Sequence, residues 1–388
     1  MKKKYIFLII LALLLIAAYS GSAAADDGEK NLGETIDEML ESIDIGALGE
    51  LYENLPETLS GNGNITDYLK QLISGETAFD YQSISSYAFN VLLSGVKEKM
   101  PLFIVLFVLL VFSGITNAIR PELMGNGISD IVHFAIYAAI ICTVTAIAYS
   151  LLTTGKETID GISKTVQAVF PIILTLMSVT GTSSSVVVYS PAVAFISNIA
   201  VIVVENLIFP TIVFMMVIGV VSNINKSVKL RGLLDFLSGL LKWIIGLIVA
   251  IFSIFLTVKG LNAGIYDGIS LRAVKYTINS SVPIVGGLIK DGFDMILASA
   301  VLIKNSLGVF AIILIFGSVL KPVLEIVVLS LCLKLVNAVT EPLGDVRANE
   351  FIKGICVSLN FVVAAILMIS LMYLILFVMM IYSSQVIL

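Results

Sequence analysis

The residues of this sequence that could do chemistry inside an apolar chain are a few charged side chains set in hydrophobic runs. Glu205 interrupts one such run, and Lys321 and Glu325, four residues apart, can pair on one helix face. An isolated charge in hydrocarbon costs at least ~2.5 kcal/mol, so each needs a partner, water or an interface. Two interpretations stay open, an ion or solute path and a polar hairpin turn at an interface. Nearby Pro210 and Pro322 favour the turns.

Other chemical side chains are few. Cys142, Cys332 and Cys356 all lie in apolar runs without metal-ligand spacing, and His133 is the one histidine. We therefore predict no metal site and no Cys/His catalytic pair. The polar cluster Ser183–Ser185 is interpreted as a loop rather than a nucleophile. No phosphate-binding or dinucleotide-binding motif occurs, so the sequence predicts neither an enzyme nor a bound cofactor.

The elements that must position these charges are membrane helices. The chain of 388 residues is 58% hydrophobic and 13% charged, with a mean hydropathy of +1.03, which is typical of an all-α, polytopic membrane protein. Several apolar runs are shorter than the ~20 residues that a span needs, which favours half-helices or hairpins. We expect up to ten membrane segments, or six to eight if the hairpins do not span. The runs cover residues 101–119, 130–152, 166–180, 186–204, 207–222, 240–259, 281–303, 307–320, 323–338 and 354–381.

The N-terminus has the pattern of an export signal. A lysine-rich start, an apolar region and the small residues Ala23 and Ala25 predict a signal peptide over residues 1–25, with an uncleaved anchor as the alternative. Residues 26–99 then carry 15 acidic and 4 basic side chains. Since a cleaved signal peptide and an uncleaved anchor both export the adjoining chain, we expect a small acidic extracytoplasmic region.

Apolar residues recur at helical spacing in this acidic region. The pattern predicts short amphipathic helices, broken near Gly46, Gly49 and Pro56, and a second helical region over residues 66–97. A polar linker over residues 60–64 separates the two. The expected buried residues are Ile36, Leu40, Ile43, Leu48, Leu51 and Leu55.

An internal repeat organises the membrane part. An offset of 112 residues aligns two of the nine prolines with two others and aligns the apolar blocks between them. We predict two helices over residues 100–153, then repeats over 154–260 and 266–388. The matched pairs are Pro171 with Pro283, Pro210 with Pro322, Asn225 with Asn337, Gly232 with Gly344, and Thr165 with Thr277.

Basic residues set the expected orientation. The loop after the first repeat is the most basic part of the membrane region, and its counterpart carries Arg347 and Lys353. Both should face the cytoplasm, which makes the two repeats parallel. The residues of the first loop are Lys226, Lys229, Arg231 and Lys242.

The segment "LRAVKYTINSSVPIVGGLIKDGFD", residues 271–294, is the second copy of the proline-containing segment 158–181. It is too polar to face lipid comfortably, and its paired glycines allow close backbone approach. We therefore predict that it lines a polar cavity or a subunit interface. The candidate residues of this cavity or interface are Lys275, Pro283, Gly286, Gly287, Glu205, Lys321 and Glu325.

The same segment carries a family resemblance, together with "SAVLIKNSLGVFAIILI" (299–315), "FPIILTLMSVTG" (170–181) and "YSPAVAF" (189–195). In these stretches and in its whole layout, the chain resembles the stage III sporulation protein AE family. The resemblance implies a multi-pass protein of the mother-cell membrane around the forespore. It also implies partners: the other stage III sporulation A proteins, and through them stage II sporulation protein Q.

Two functions result as hypotheses. The first is a membrane component of the sporulation channel or secretion-like complex, needed for forespore development, with a homo-oligomer as a further expectation. The alternative is a free-standing secondary transporter with two repeats. Nucleic acid is not an expected partner. Partner dependence separates the two, because a transporter would move a solute alone in proteoliposomes.

Overall fold

Helices make up every regular element of the described chain. The computed structural model describes residues 29–42, 46–53, 55, 64–75, 81–119, 126–180, 183–224, 230–281, 286–343 and 346–383. The predicted signal peptide (1–25), most of the 60–64 linker, Lys226, Lys229 and Pro283 lie outside these residues.

The described part of the acidic N-terminal region contains three short helices before the first long one: α1 (Glu29–Ser42), α2 (Gly46–Glu53) and α3 (Ile65–Ser74). Gly75 ends α3 in the left-handed conformation, with φ of 73°, which a residue without Cβ adopts at little cost. The predicted apolar positions that the structure describes point inward: Ile36, Leu40, Leu48 and Leu55 are buried, and Leu51 is half-buried, whereas Ile43 lies outside the described residues.

One predicted break in this region is wrong. Gly49 lies inside α2, which begins at the other glycine, Gly46. A single glycine costs a helix only about 1 kcal/mol, and burial of Leu48 and Tyr52 in the core offsets that cost. The helical region predicted over 66–97 comprises α3 and the first part of the next helix.

The membrane part is built from long helices. These are α4 (Tyr81–Ile119), α5 (Asn126–Val179), α6 (Ser183–Ala194), α7 (Phe209–Ile224), α8 (Arg231–Ser281), α9 (Gly286–Thr340) and α10 (Val346–Tyr382). Two π-helical segments, Phe195–Ala200 and Val204–Ile208, join α6 to α7, and a 3₁₀ turn, Glu341–Leu343, comes after α9. Among the residues that the structure describes, six helical stretches of 27 to 47 residues are long and apolar enough to cross a membrane.

The predicted hairpin turns are wrong. Lys321 and Pro322 lie within α9, and Glu205 and Asn206 lie in the π-helical segment before α7, so the backbone is helical at both places. The runs 281–303, 307–320 and 323–338 thus fall largely within one helix. A helix satisfies its own backbone hydrogen bonds, which favours continuation where water is scarce. Ser183–Ser185, interpreted as a loop, is the first turn of α6.

An antiparallel pair, α9 and α10, forms the centre of the bundle. Cys356 Sγ on α10 lies 3.8 Å from the backbone oxygen of Ser330 on α9. Farther along the pair, Lys304 on α9 meets Met380 on α10. Helices α4 and α5 pack along α9, and α1 and α3 cover its first half. Since α5 continues through the predicted boundary at 153/154, the division into domains and the repeat both remain predictions.

Candidate functional site

Two of the predicted charges meet partners from an earlier helix. Lys321 on α9 lies within electrostatic range of Glu98 on α4, and Glu325 within range of Lys99. Glu98 Oε1 in turn accepts a hydrogen bond of 2.7 Å from Lys99 Nζ. The four side chains therefore form a cluster of alternating sign across the α4–α9 contact.

Glu205 meets a second group of charges. Its carboxyl faces Asp160 on α5, with Lys156 one helical turn away from that aspartate. The neighbouring Asn206 donates to the backbone oxygen of Ile202, 3.2 Å away, so its amide is used within its own helix. The π-helical segment widens the helix at this point.

Both groups lie at one level of the bundle. Gly155, one residue before Lys156, packs against Val362 on α10 and Phe209 on α7. In the antiparallel α9–α10 pair, the position opposite Val362 falls at about residue 323, beside Lys321. We call this set the charged belt, and it comprises Glu98, Lys99, Lys156, Asp160, Glu205, Lys321 and Glu325.

The charged belt lies on the outside of the bundle. Glu98, Lys156, Asp160 and Lys321 are exposed, and the other members are half-buried. Exposed charges of both signs at a single level match the polar boundary of a bilayer better than an internal path.

A slab of membrane thickness lies on one side of the belt. About 20 residues, or ~30 Å, separate the belt from the far ends of α4, α7 and α9. That distance matches the ~30 Å hydrocarbon core of a bilayer. Exposed large apolar side chains cover this part: Leu102, Ile104, Val105, Val108, Phe112, Ile115, Val213, Phe214, Val217, Val221, Val327, Leu331, Leu335 and Val339.

On the other side of the belt, α9 is covered by protein. Its apolar residues there include Ala300, Ile303, Leu307, Phe310, Ile313 and Ile315, all buried. The N-terminal helices provide part of this cover, because the ring of Phe310 lies 6.3 Å from that of Tyr52 and 6.0 Å from that of Tyr68. The acidic region is therefore docked on the bundle.

Polar contacts accompany this docking. Lys70 on α3 binds Asp37 on α1 at 2.8 Å, and this hydrogen bond is the main cause that raises the pKa of Lys70. Burial, and then the neighbouring Tyr52, raise the pKa of Tyr68 to about 12. Thr35 Oγ1 lies 3.4 Å from Met295 Sδ, at the start of α9.

Lys304 is the buried charge that the sequence interpretation missed. Only 1% of it is exposed, and its ammonium donates to the backbone oxygens of Met380 (2.6 Å) and Ile381 (3.3 Å). The signal was available, because a lone lysine lies in the apolar stretch "SAVLIKNSLG". The belt members Glu98, Lys99, Lys156 and Asp160 were missed too, since nothing local in the sequence connects them with Lys321 or Glu205.

The remaining predicted site residues are not brought together by any described contact. Lys275 belongs to α8 and Gly286 and Gly287 begin α9, but their side-chain surroundings lie outside the described residues, as does Pro283. A cavity along 271–294 therefore stays a prediction. In the described part of the chain, no three His, Cys, Asp or Glu side chains are grouped as a metal site would require.

Comparison with known proteins gives the chain its family. The family model for stage III sporulation protein AE (spore_III_AE) matches residues 63–384. The chain belongs to this family. A curated relative, stage III sporulation protein AE of Bacillus subtilis (strain 168), is 23% identical over 386 residues, covering 96% of this chain and 95% of the relative. No solved structure matches.

Family membership and the long apolar helices are consistent with each other. The family implies a sporulation role, and the six long apolar helices are those of a multi-pass membrane protein. The resemblance drawn from the sequence is thereby confirmed.

Proposed function

We propose that this sporulation protein is a membrane component of the channel or secretion-like complex that links mother cell and forespore. It would lie in the mother-cell membrane around the forespore and support forespore development. The observation that carries the proposal is the docking of the acidic helices on α9 through Phe310, beyond the charged belt. A helical body fixed outside the bilayer suits contact with other proteins of an assembly.

The position of the bilayer is part of this proposal. The hydrocarbon would cover the slab between the belt and the ends of α4, α7 and α9. Single cysteines at Asp160 and at Val105 test this, since both positions are exposed but lie on different sides of the boundary. Rapid reaction with a water-soluble thiol reagent at Asp160 and slow reaction at Val105 are expected. Equal reactivity would contradict the placement.

The proposed partners are the other stage III sporulation A proteins and, through them, stage II sporulation protein Q, with self-association of this chain as a further contact. The test is purification of the tagged protein from sporulating cells under mild detergent, with identification of the proteins that co-purify. Wild type is compared with Phe310→Ala, which keeps the membrane helices but loosens the docked region. If no stage III A protein co-purifies with the wild-type chain, the proposal is contradicted.

The second candidate, a free-standing secondary transporter, receives less support. The seam between α9 and α10 is packed with apolar side chains, among them Leu307, Leu329 and Leu376. Apolar side chains dominate the described part of that seam, which disfavours a polar solute path along it. Purified protein alone in proteoliposomes distinguishes the candidates, because solute-specific uptake without partners would favour the transporter.

Orientation is proposed from charge. The end of the bundle opposite the acidic region carries the pairs Arg231–Glu350 (3.8 Å) and Lys353–Glu341 (2.9 Å) and should face the cytoplasm. A reporter that needs the cytoplasm, fused after Gly239, should be active. A cysteine at Ser60 should react with an impermeant maleimide before lysis. The reverse pattern would overturn the orientation and the parallel repeat.

The polar segment 271–294 is proposed to border a cavity or subunit interface. Gly286→Leu, or charge reversal at Lys275, should impair spore formation while the protein still accumulates in the membrane. Cysteines scanned through 275–294 should show a helical stripe of reactivity with water-soluble reagents. If none of these cysteines reacts and Gly286→Leu cells sporulate normally, the segment is an ordinary buried helix.

A further inference from the structure

A small cavity lies at the end of the bundle that is farthest from the acidic helices. It has a volume of about 190 Å³, room for about six water molecules. The end of α9, the 3₁₀ turn after it and the first part of α10 enclose it. The lining residues are Lys334, Asn337, Ala338, Glu341, Ile352, Lys353 and Cys356.

A buried polar group of this lining has no partner among the described residues. Asn337 is 4% exposed, and its side-chain oxygen accepts no hydrogen bond from the described part of the chain. The nearby hydroxyl of Thr340 donates to the backbone oxygen of Asn337 and not to its side-chain oxygen. Because an unmet buried acceptor costs about 1–3 kcal/mol, a native structure that keeps one usually supplies a hydrogen-bond donor from a ligand or from water.

The charge of the lining favours an anion. Lys334 forms no ion pair with any described residue, whereas Lys353 binds Glu341 at 2.9 Å. Two lysines and one glutamate leave a net positive charge, and Glu341 neutralises only one lysine. The Cys356 thiol is directed to the backbone oxygen of Ser330, 3.8 Å away.

The cavity opens beside lipid-facing surface. Leu335, next to Lys334, is 66% exposed, and Leu331 and Val339 continue the same stripe at four-residue spacing. On α10, Val357 comes directly after Cys356 and is also exposed. A ligand with a phosphate in the cavity could therefore lay hydrocarbon chains along this stripe.

We propose that this cavity binds the phosphate of an anionic phospholipid. Lys334 supplies the positive charge, Lys353 adds a second by sharing its ammonium between Glu341 and the lipid, and the side-chain oxygen of Asn337 accepts a hydrogen bond from a headgroup hydroxyl, such as those of phosphatidylglycerol. The acyl chains lie against Leu331 and Leu335. Basic cavities between membrane helices are a known mode of headgroup recognition. The site is separate from the charged belt and does not depend on the proposed complex.

Fluorescence quenching in vesicles tests the proposal. The single tryptophan, Trp243, is replaced by phenylalanine, and Leu335→Trp places a reporter beside the cavity. Quenching by brominated phosphatidylglycerol is compared with quenching by brominated phosphatidylcholine in the full-length chain. We expect the anionic lipid to be preferred at this position by about five-fold or more, the factor that one lysine near a lipid surface supplies.

Variants locate the preference. Lys334→Gln should lower the ratio of quenching by brominated phosphatidylglycerol to quenching by brominated phosphatidylcholine to about one. Asn337→Ala should lower this ratio partly. Lys242→Gln is the matched control, because Lys242 is exposed on α8, away from the cavity, and should leave the preference intact. An unchanged preference in folded Lys334→Gln would overturn the proposal. Relief of quenching by excess soluble glycerol phosphate would indicate a site for free anions and overturn the assignment to lipid.

Discussion

The ammonium of Lys304 lies 2.6 Å from the backbone oxygen of Met380, in the last turn of the final helix. The last four carbonyls of a helix have no partner within it and carry partial negative charge. Here other groups supply partners, since Tyr189 Oη lies 3.2 Å from the oxygen of Met379 and Ser383 Oγ lies 2.8 Å from that of Met380. A buried lysine thus links the end of α10 to the first half of α9.

Lys304→Met keeps the length of the side chain and removes the donor. Hydrogen bonds to charged groups make a net contribution of about 1.5–3 kcal/mol to stability, and the cost of burying the ammonium opposes this contribution. We expect a loss of about 1–3 kcal/mol in stability and faster amide hydrogen exchange over residues 379–383. Lys353→Met, at an exposed lysine of α10, serves as the control. A more stable Lys304→Met variant would mean that the cost of burying the charge dominates.

Phe310→Ala should release the acidic region from the bundle. The ring is fully buried against Tyr52 and Tyr68, and loss of a buried phenylalanine costs about 3–5 kcal/mol. Spin labels at Glu38 and Ile375 should report a longer and broader distance distribution. Phe236→Ala removes an exposed ring on α8 and should leave the distribution unchanged. An undisturbed distance in Phe310→Ala would show that the docking does not rest on this ring.

Docking of the acidic region should weaken at alkaline pH. The pKa of Tyr68 is raised from 10 to about 12 in the folded state, so its contribution is fully present below pH 10 and is lost as the pH rises through 12. A shift of this size corresponds to about 3 kcal/mol. Replacement by phenylalanine should remove this part of the pH dependence, measured with the same spin labels. NMR of tyrosines labelled at Cζ should show one late-titrating resonance that is absent in Tyr68→Phe.

Close packing of α5 on α10 depends on Gly155. A Cβ at this position would overlap Cγ1 of Val362, a β-branched side chain with little rotamer freedom. Gly155→Ala should therefore lower stability by about 1–3 kcal/mol in thermal unfolding. Gly161→Ala on the same helix meets nothing within 4 Å and should be neutral or slightly stabilising.

A second substitution tests the cause of this loss. Val362→Ala removes the overlapping atom, so the double variant should recover part of the stability that Gly155→Ala loses. If the stability losses of the two single variants simply add in the double variant, Gly155→Ala destabilises the protein by a cause other than this contact.

The sequence by itself determined the class of the protein and the inward faces of its short helices. Long apolar runs are a direct consequence of the hydrocarbon solvent, and a period of 3.6 residues is enough to select Ile36, Leu40 and Leu48 for burial. These are local signals, which can be read without knowing the packing partner of a segment. The family, too, could be identified from stretches such as residues 299–315.

Only the tertiary structure decided where helices continue and which charges meet. Pro322 and Lys321 look like a turn locally, but α4, α5 and α10 pack along α9 and its backbone stays helical. Glu98 and Lys321 lie within electrostatic range although more than half the chain separates them in sequence, and no spacing rule connects them. The docking of Tyr52 and Tyr68 on Phe310 likewise depends on three-dimensional packing, because each of the three rings is an ordinary apolar position in its own helix.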